Sequence, residues 1–222
     1  MFKKVLLAED IDSINAGVIQ ALNELGIIQI DHVKYCDDAI LRIRKAMADG
    51  VPYELFISDL SFEADSRDVK IKSGEEAIAQ ARIIQPDIKV IVYSVENKSF
   101  RIKSLFEKNN VNGYVLKGRK SIDELKNAIR QLYDKDAKYL SPDLRHILND
   151  RSIRQIDDYD IKIIQQLAEG ITQDDLELRF KELGITPNSK STIEKRISKL
   201  KDHFRANNTV HLISIAKDLG IA

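Results

Sequence analysis

The chain has 222 residues, of which 43% are hydrophobic and 32% are charged, and its formal net charge is zero. This length suits one large or two small domains with real hydrophobic cores. The balanced charge excludes a global field that would attract nucleic acid or a membrane. The single cysteine, Cys36, excludes an intramolecular disulfide framework, and we expect it to be a small buried residue. No apolar run approaches the ~20 residues that a membrane span needs, so we expect a soluble, cytoplasmic protein without a membrane partner.

Residues 1 to about 130 alternate short apolar runs with amphipathic stretches. The apolar runs predict five strands, at residues 5–8, 28–33, 55–58, 90–93 and 113–116. Apolar residues at helical spacing predict five helices, at residues 12–25, 38–49, 74–84, 100–109 and 122–133. This alternation is typical of a doubly wound α/β fold, in which helices cover both faces of a five-stranded parallel sheet. Ligands of such sheets gather at the carboxyl ends of the strands.

Polar residues end four of the predicted strands. Glu9 and Asp10 follow the first strand, and Asp59 follows the third. Ser94 ends the fourth strand, and Lys117 follows the fifth. Phosphoryl transfer to an aspartate requires a nucleophilic carboxylate, a divalent cation and a further cation nearby. Carboxylates that converge at one edge would repel one another unless a metal lay between them, and an all-oxygen site suits Mg²⁺. Glu9, Asp10 and Asp59 are therefore the candidate metal ligands.

This set of residues, in this order, resembles the receiver domain of bacterial two-component response regulators over about residues 3–132. The resemblance implies a flavodoxin-like, CheY-like fold in which a sensor histidine kinase phosphorylates Asp59. The other residues to which it gives a role are Ser94 and Tyr114 as the switch pair, Lys117 as the invariant lysine, and Glu9 and Asp10 as Mg²⁺ ligands. The chain departs from the usual pattern in a long, charged loop at residues 62–73 and in Gly118, where many relatives have a proline.

No separate enzyme is expected from the sequence. It contains no Gly-rich phosphate loop, no metal-ligand histidine cluster and no plausible nucleophile–base pair. The chemistry that the resemblance implies is self-catalysed phosphoryl transfer from a donor to Asp59, followed by slow hydrolysis of the acyl phosphate.

Beyond residue 133 the pattern becomes purely helical. Residues 134–156 have weak periodicity and are predicted to be a linker, partly helical, between a receiver domain at residues 1–133 and a helical domain at residues 157–222. Four short helices are predicted there, at residues 160–169, 173–183, 191–204 and 209–219. Residues 136–178 carry five Lys or Arg against ten Asp or Glu, whereas residues 179–205 carry eight against three. A basic surface is therefore expected only in the later helices.

The helix predicted at residues 191–204 has one apolar and one basic face. Ile193, Ile197 and Leu200 lie on one stripe at helical spacing, and Ser191 with Glu194 fits a capping box at the start of the helix. A short helix with a basic, hydrogen-bonding front fits a DNA major groove, although a merely solvated basic face has the same pattern. The candidate DNA contacts are Lys190, Thr192, Lys195, Arg196 and Lys199.

Residues 161–213 resemble the helix-turn-helix output domain of NarL/LuxR-type regulators, with Ser191 at the start of the recognition helix. The stretch 181–189 is longer than the usual turn of that group, and Tyr159 and Asp160 stand where it typically has an arginine–glutamate pair. The resemblance implies a transcriptional response regulator that binds double-stranded DNA and forms a homodimer on activation.

Two other interpretations stay open. The helical domain could bind a protein, so that the receiver regulates a partner or passes phosphate along a relay; the zero net charge and the acidic stretch 136–178 favour this. A receiver that switches without phosphate is a weaker third interpretation, because every group that phosphorylation requires is present.

Overall fold

The computed structural model describes residues 1–63, 69–149 and 156–222, and only the backbone of residues 148 and 149. The chain divides into two compact units, one of residues 1–97 and 102–145 and the other of residues 98–101 and 146–222. The first is built on a parallel sheet, and the second is helical.

Strands and helices alternate through the first unit. Its strands are β1 (Lys4–Ala8), β2 (Gln29–Val33), β3 (Leu55–Ser58), β4 (Lys89–Ser94), β5 (Gly113–Leu116) and β6 (Tyr139–Leu140). Its helices are α1 (Asp12–Glu24), α2 (Cys36–Ala48), α3 (Gly74–Ile84), α4 (Ser99–Glu107) and α5 (Ser121–Lys135). The first five strands and five helices are the predicted ones, with ends that differ by a few residues.

The strands form one sheet in the order β2-β1-β3-β4-β5-β6, and every neighbouring pair is parallel. The central strands are continuous apolar runs because both faces of the sheet are covered. Val5, Leu55 and Ile91 are completely buried, and each such side chain contributes about 1.5–3 kcal/mol through burial. The predicted doubly wound α/β fold is therefore confirmed.

The stretch 134–156, which was predicted to be a linker, contains regular structure. After α5 come β6, one turn of 3-10 helix at Pro142–Leu144 and a short helix, α6 (Arg145–Asn149). The sheet thus has six strands rather than five. The sixth pairs only two residues with β5, which is too short a run to leave a periodic pattern in the sequence. Residues 150–155 lie outside the described part of the chain.

The second unit contains four further helices, α7 (Asp158–Ala168), α8 (Leu176–Glu182), α9 (Lys190–Phe204) and α10 (Thr209–Leu219). They share one core, to which Ile163, Leu176, Phe180, Ile193, Ile197, Leu200 and Leu212 contribute buried side chains. The predicted apolar stripe of α9 is therefore confirmed. None of the helices in the described ranges is long and apolar enough to cross a membrane.

Two helices of this unit begin earlier than predicted. Asp157 and Asp160 form a capping box, which starts α7 at Asp158. Helix α9 starts at Lys190 with Ser189 as the N-cap residue, so the capping box predicted at Ser191 is wrong. Ser189 has the extended backbone of an N-cap residue, and its hydroxyl is hydrogen-bonded to the Thr192 hydroxyl at 2.8 Å. Because the helix starts at Lys190, Ser191 lies inside its first turn.

Candidate functional site

The strand register brings the predicted receiver residues together. Ala8 pairs with Ser58, so the residues that follow them, Glu9 and Asp59, lie side by side. The Asp59 amide donates to the Ala8 carbonyl at 3.1 Å. Ser94 pairs with Leu116 at the ends of β4 and β5, and the amide of the next residue, Lys117, donates to the Ser94 carbonyl at 2.8 Å.

Three carboxylates converge at this edge of the sheet. Ligand oxygens of Glu9, Asp10 and Asp59 all lie within 4.8 Å of one another. Glu9 is 1% exposed and Asp59 is 4% exposed, whereas Asp10 is half-buried. A set of carboxylate oxygens at this spacing, with one ligand open to solvent, fits a hard cation such as Mg²⁺, which keeps several of its waters.

The Asp59 carboxylate is held from two sides. Its Oδ1 accepts the Leu60 amide at 2.6 Å and the Ser61 amide at 3.4 Å. Its Oδ2 accepts the Lys117 ammonium at 2.6 Å. Two backbone amides and one ammonium therefore fix the orientation of the Asp59 carboxylate, which faces the other two carboxylates.

Lys117 bridges two buried carboxylates. Its Nζ lies 2.7 Å from Glu9 Oε2 as well as 2.6 Å from Asp59 Oδ2, and its side chain is 7% exposed. Burial alone would lower the pKa of Lys117, but the hydrogen bonds and charges of Asp59 and Glu9 outweigh burial and raise it. Burial raises the pKa of Glu9, although Lys117 acts against that shift. The ammonium therefore supplies one positive charge for two carboxylates.

The predicted switch residues share a contact in the loop that follows β4. Ser94 and Tyr114 are both completely buried. The Tyr114 hydroxyl donates to the Glu96 carbonyl at 2.6 Å, and the Glu96 amide donates to Ser94 Oγ at 3.4 Å. Tyr114 thus has its ring inside the first unit and its hydroxyl on the loop next to Ser94.

Several residues that support the site were not predicted from the sequence. His32 donates through Nε2 to the Glu9 carbonyl at 2.8 Å, and the Tyr93 ring centroid lies 5.4 Å from Lys117 Nζ. Gly74, the first residue of α3, lies against the Asp59 backbone, because a Cβ there would be 1.8 Å from the Asp59 carbonyl oxygen. Local sequence carries no signal for these contacts except the glycine itself.

The described ends of the long loop predicted at residues 62–73 each donate a backbone amide to an aspartate. The Glu63 amide donates to Asp10 Oδ2 at 2.7 Å, and the Lys70 amide donates to Asp37 Oδ2 at 3.0 Å. Residues 64–68 lie outside the described part of the chain.

In the helical unit, Arg196 is bound by acidic residues of α7 and its cap. Its Nε donates to Asp160 Oδ1 at 2.8 Å, and its Nη2 forms an ion pair with the Asp157 carboxylate. The guanidinium also lies 5.5 Å from the Tyr159 ring centroid. The hydrogen bond to Asp157, together with the charges of Asp160 and Asp157, raises the pKa of Arg196. Burial raises the pKa of Asp160. Tyr159 and Asp160, the two residues that depart from the NarL/LuxR pattern, thus both contact this arginine, together with Asp157.

The other four candidate DNA contacts differ in their exposure and in whether an acidic residue pairs with them. Lys190 forms an ion pair with Asp174 at 2.7 Å on the surface. Thr192 is half-buried and bonded to Ser189. Lys195 and Lys199 are exposed and make no ion pair within the residues that the structure describes. Only these two lysines therefore present an uncompensated charge on α9 among the five candidates.

The chain consists of a parallel-sheet unit followed by a helical unit, and solved response regulators have a similar fold. Among solved structures, the RcsB response regulator of Salmonella typhimurium is 19% identical, covers 97% of this chain and 99% of its own, and superposes with a TM-score of 0.66. A complex of the two-component response regulator RcsB with DNA is 18% identical, covers 98% of both chains and has a TM-score of 0.65.

The isolated REC domain of RcsB from Salmonella enterica serovar Typhimurium, solved with the phosphomimetic BeF₃⁻, covers 65% of this chain and 97% of its own at 19% identity, with a TM-score of 0.53. No family model matches the chain, and no curated protein matches its sequence. The likeness to these structures therefore concerns the fold.

Proposed function

We propose that this protein is a two-component response regulator in which phosphorylation of Asp59 controls DNA binding by the helical unit and hence transcription. The observation that carries the proposal is the buried Asp59 carboxylate between Glu9, Asp10 and Lys117 at the carboxyl edge of the sheet. RcsB, whose fold it shares, has been solved bound to DNA and with a phosphomimetic.

In this proposal, an Asp59 carboxylate oxygen attacks the phosphorus of a phosphohistidine on a sensor kinase. The O–P bond forms, the P–N bond breaks, and the imidazole leaves. Glu9, Asp10 and Asp59 hold Mg²⁺, which when bound neutralises the phosphoryl oxygens. Leu60 and Ser61 amides orient the nucleophile through Oδ1. Lys117 provides the second cation. In the slow dephosphorylation, a water oxygen attacks the phosphorus, the bond between phosphorus and the Asp59 oxygen breaks, and inorganic phosphate leaves. The protein has no other catalytic activity.

Ser94 and Tyr114 then act as the switch pair. The Ser94 hydroxyl bonds a phosphoryl oxygen in place of its contact with the Glu96 amide, and Tyr114 follows through its bond to the Glu96 carbonyl. The activated protein forms a homodimer, which places two recognition helices on two half-sites of double-stranded DNA. Lys195 and Lys199 are the foremost contacts, with Lys190, Thr192 and Arg196 after them.

The test is salt-dependent binding of genomic DNA fragments by the full-length protein, with Mg²⁺ and with or without a small-molecule phosphodonor. We expect the phosphodonor to raise DNA affinity in the wild type and in Asp12→Asn, an exposed acidic control, but not in Asp59→Asn. An equal response of Asp59→Asn and the wild type would refute phosphorylation control.

A protein-binding output is the second candidate, because two of the five predicted contacts, Lys190 and Arg196, are already neutralised by acidic residues. Salt-insensitive or absent DNA binding in both phosphorylation states, with normal phosphorylation of Asp59, would favour this candidate.

A further inference from the structure

The chain that leaves the first unit is hydrogen-bonded to the strand that carries Tyr114. The β6 residues Tyr139 and Leu140 pair with Gly113 and Tyr114 of β5. The Tyr139 amide donates to the Asn112 carbonyl and the Ser141 amide to the Tyr114 carbonyl, both at 3.0 Å. Residues 139 and 140 of the predicted linker are therefore part of the same sheet as the strands that carry Asp59 and Lys117 at their ends.

Ser141 continues this ladder with its side chain. Its Oγ accepts the Leu116 amide at 3.0 Å, in the place where a backbone carbonyl would stand if β6 were longer. Its hydroxyl proton is donated to the Glu124 carboxylate in the first turn of α5. Ser141 is only 1% exposed, so this one side chain is a buried junction of β5, α5 and the chain that follows β6.

The junction adjoins the residues that would respond to phosphorylation. Leu116, which Ser141 holds, directly precedes Lys117, and Lys117 Nζ bonds to both Asp59 and Glu9. On the other side of β5, the Lys117 amide is bonded to the Ser94 carbonyl. Residues 114–117 are thus hydrogen-bonded to the site and to β4 on one side and to Ser141 on the other. A displacement of residues 114–117 would therefore also displace Ser141.

We propose that Ser141 and Glu124 are positioning residues that couple the state of Asp59 to the chain leading to the helical unit. The coupling rests on the proposed function. When Asp59 is phosphorylated, the Lys117 ammonium pairs with the phosphoryl group instead of the Asp59 carboxylate, and Ser94 and Tyr114 rearrange. The end of β5 then shifts. The Leu116–Ser141 and Ser141–Glu124 bonds carry that shift to the 3-10 turn at Pro142–Leu144. Without them the site is phosphorylated normally but the output does not respond.

The experiment separates phosphorylation from response in the full-length protein. The phosphorylated fraction of Asp59 is measured on a phosphate-affinity gel after treatment with acetyl phosphate and Mg²⁺, and DNA affinity is measured on the same samples. The variants are Ser141→Ala, which removes both bonds, Ser141→Thr, which keeps the hydroxyl, and Glu124→Ala, which removes only the second bond. Ser13→Ala, at an exposed serine of α1, is the matched control.

Allosteric coupling is typically worth about 5- to 150-fold in affinity, and we expect an enhancement of that order in the wild type, Ser13→Ala and Ser141→Thr. In Ser141→Ala the enhancement should fall to within about twofold of none, with an unchanged phosphorylated fraction and unchanged affinity before phosphorylation. In Glu124→Ala, part of the enhancement of DNA affinity by phosphorylation should be lost.

Full enhancement in both Ser141→Ala and Glu124→Ala would overturn the coupling and leave the proposed function intact. A loss of DNA affinity before phosphorylation in both variants would also overturn it, because the bonds would then be merely structural. A wild type that is not phosphorylated, or that does not respond when phosphorylated, would overturn the proposed function and the coupling with it.

Discussion

Among the residues that the structure describes, Lys117 is the cation that pairs with Asp59. Glu9 and Asp59 are buried, and a buried charge that has no partner of opposite charge destabilises the folded state. Lys117 supplies that cation within the chain, at 2.7 and 2.6 Å from the two carboxylates. A metal bound by Glu9, Asp10 and Asp59 would supply further positive charge at the same place.

Replacement of Lys117 by methionine should therefore make the protein depend on metal for stability. In metal-free buffer, we expect Lys117→Met to lower the free energy of unfolding by about 3–5 kcal/mol, the usual cost of leaving a buried charge unpaired. Added Mg²⁺ should restore part of this loss and should stabilise the variant more than the wild type. Chemical denaturation with and without Mg²⁺ measures both effects. Lys120→Met, at an exposed lysine three residues away, is the control; wild-type stability of Lys117→Met in metal-free buffer would contradict the prediction.

The Cys36 thiol is an example of a group whose reactivity is changed mainly by burial. The expectation that it is buried is confirmed, at 2% exposure at the start of α2. Burial, with a smaller effect of Asp37, raises the pKa of its thiol to about 12. At pH 8 the thiolate fraction should be about a thousandfold lower than for a free cysteine. We expect an alkylating reagent to modify Cys36 slowly in the folded protein, faster as pH rises toward the raised pKa, and rapidly in denaturant. Rapid alkylation under native conditions would show that the thiol is accessible.

At the scale of elements, helix α3 is placed by a glycine. The Gly74 amide donates to the Leu60 carbonyl at 3.0 Å, and its Cα lies so close to β3 that a Cβ would be 1.8 Å from the Asp59 carbonyl oxygen and 2.8 Å from its carbonyl carbon. Both of these atoms are backbone, so they cannot move aside as a flexible side chain would.

Gly74→Ala should accordingly displace either α3 or the end of β3. We expect the free energy of unfolding to fall by about 1–3 kcal/mol, as for other forced steric overlaps, with weaker Mg²⁺ binding because Asp59 moves. Gly118→Ala is the matched control, since a Cβ there has no neighbour within 4 Å; it should change stability by less than about 0.5 kcal/mol. Thermal and chemical denaturation measure the free energy of unfolding of the two variants and of the wild type. Equal effects would mean that the contact is relieved without cost.

Helix α9 is anchored to α7 by charge as well as by its apolar stripe. Arg196 joins Asp157 and Asp160, and Asp160 is only 6% exposed. Arg196→Ala should lower stability by about 1–3 kcal/mol at neutral pH, because it leaves a buried carboxylate without its strongest donor. Lys199→Ala, on the same helix and exposed, should have an effect within about 0.5 kcal/mol.

The stability loss of Arg196→Ala should also depend on pH. Burial raises the pKa of Asp160 in the folded protein, so the folded state binds this proton more tightly than the unfolded chain does. Arg196 opposes this shift, so its removal should raise the pKa of Asp160 further, and acidification should stabilise the variant more than the wild type. The deficit should shrink as pH falls, as measured by urea denaturation at several pH values. A deficit that grows on acidification would exclude Asp160 as its cause.

At the scale of the whole molecule, each unit has its own hydrophobic core. Leu55, Ile57 and Ile91 belong to the core of the first unit, and Phe180 and Ile193 belong to that of the second. Two separate cores predict that damage to one need not spread to the other.

Phe180→Ala tests this separation. Phe180 is completely buried in the helical core, and its truncation should destabilise the helical unit by about 3–5 kcal/mol. Hydrogen exchange should show loss of protection in α7–α10, while the amides of β1, β3 and β4 keep theirs. Leu178→Ala, at a side chain that is 63% exposed on the same helix, should leave protection unchanged. Equal loss of protection in both units would mean that they unfold together.

The sequence by itself determined the α/β alternation, the parallel sheet and the four helices of the second half, because these depend on local periodicity. It also predicted that Glu9, Asp59 and Lys117 lie at one edge of the sheet, since each follows a strand of the same parallel sheet. Its predictions of phosphorylation and of DNA contacts stay predictions.

Only the tertiary structure decided which contacts these elements make. Strand β6 has two residues and is defined by its pairing with β5, not by a pattern of its own. The ion pairs of Arg196 with Asp157 and Asp160 depend on how α9 packs against α7, which brings together residues 36 to 39 positions apart. The closeness of Gly74 to Asp59 likewise depends on where the loop between them returns. Local periodicity carries no information on such distant pairs, because packing of the assembled core sets them.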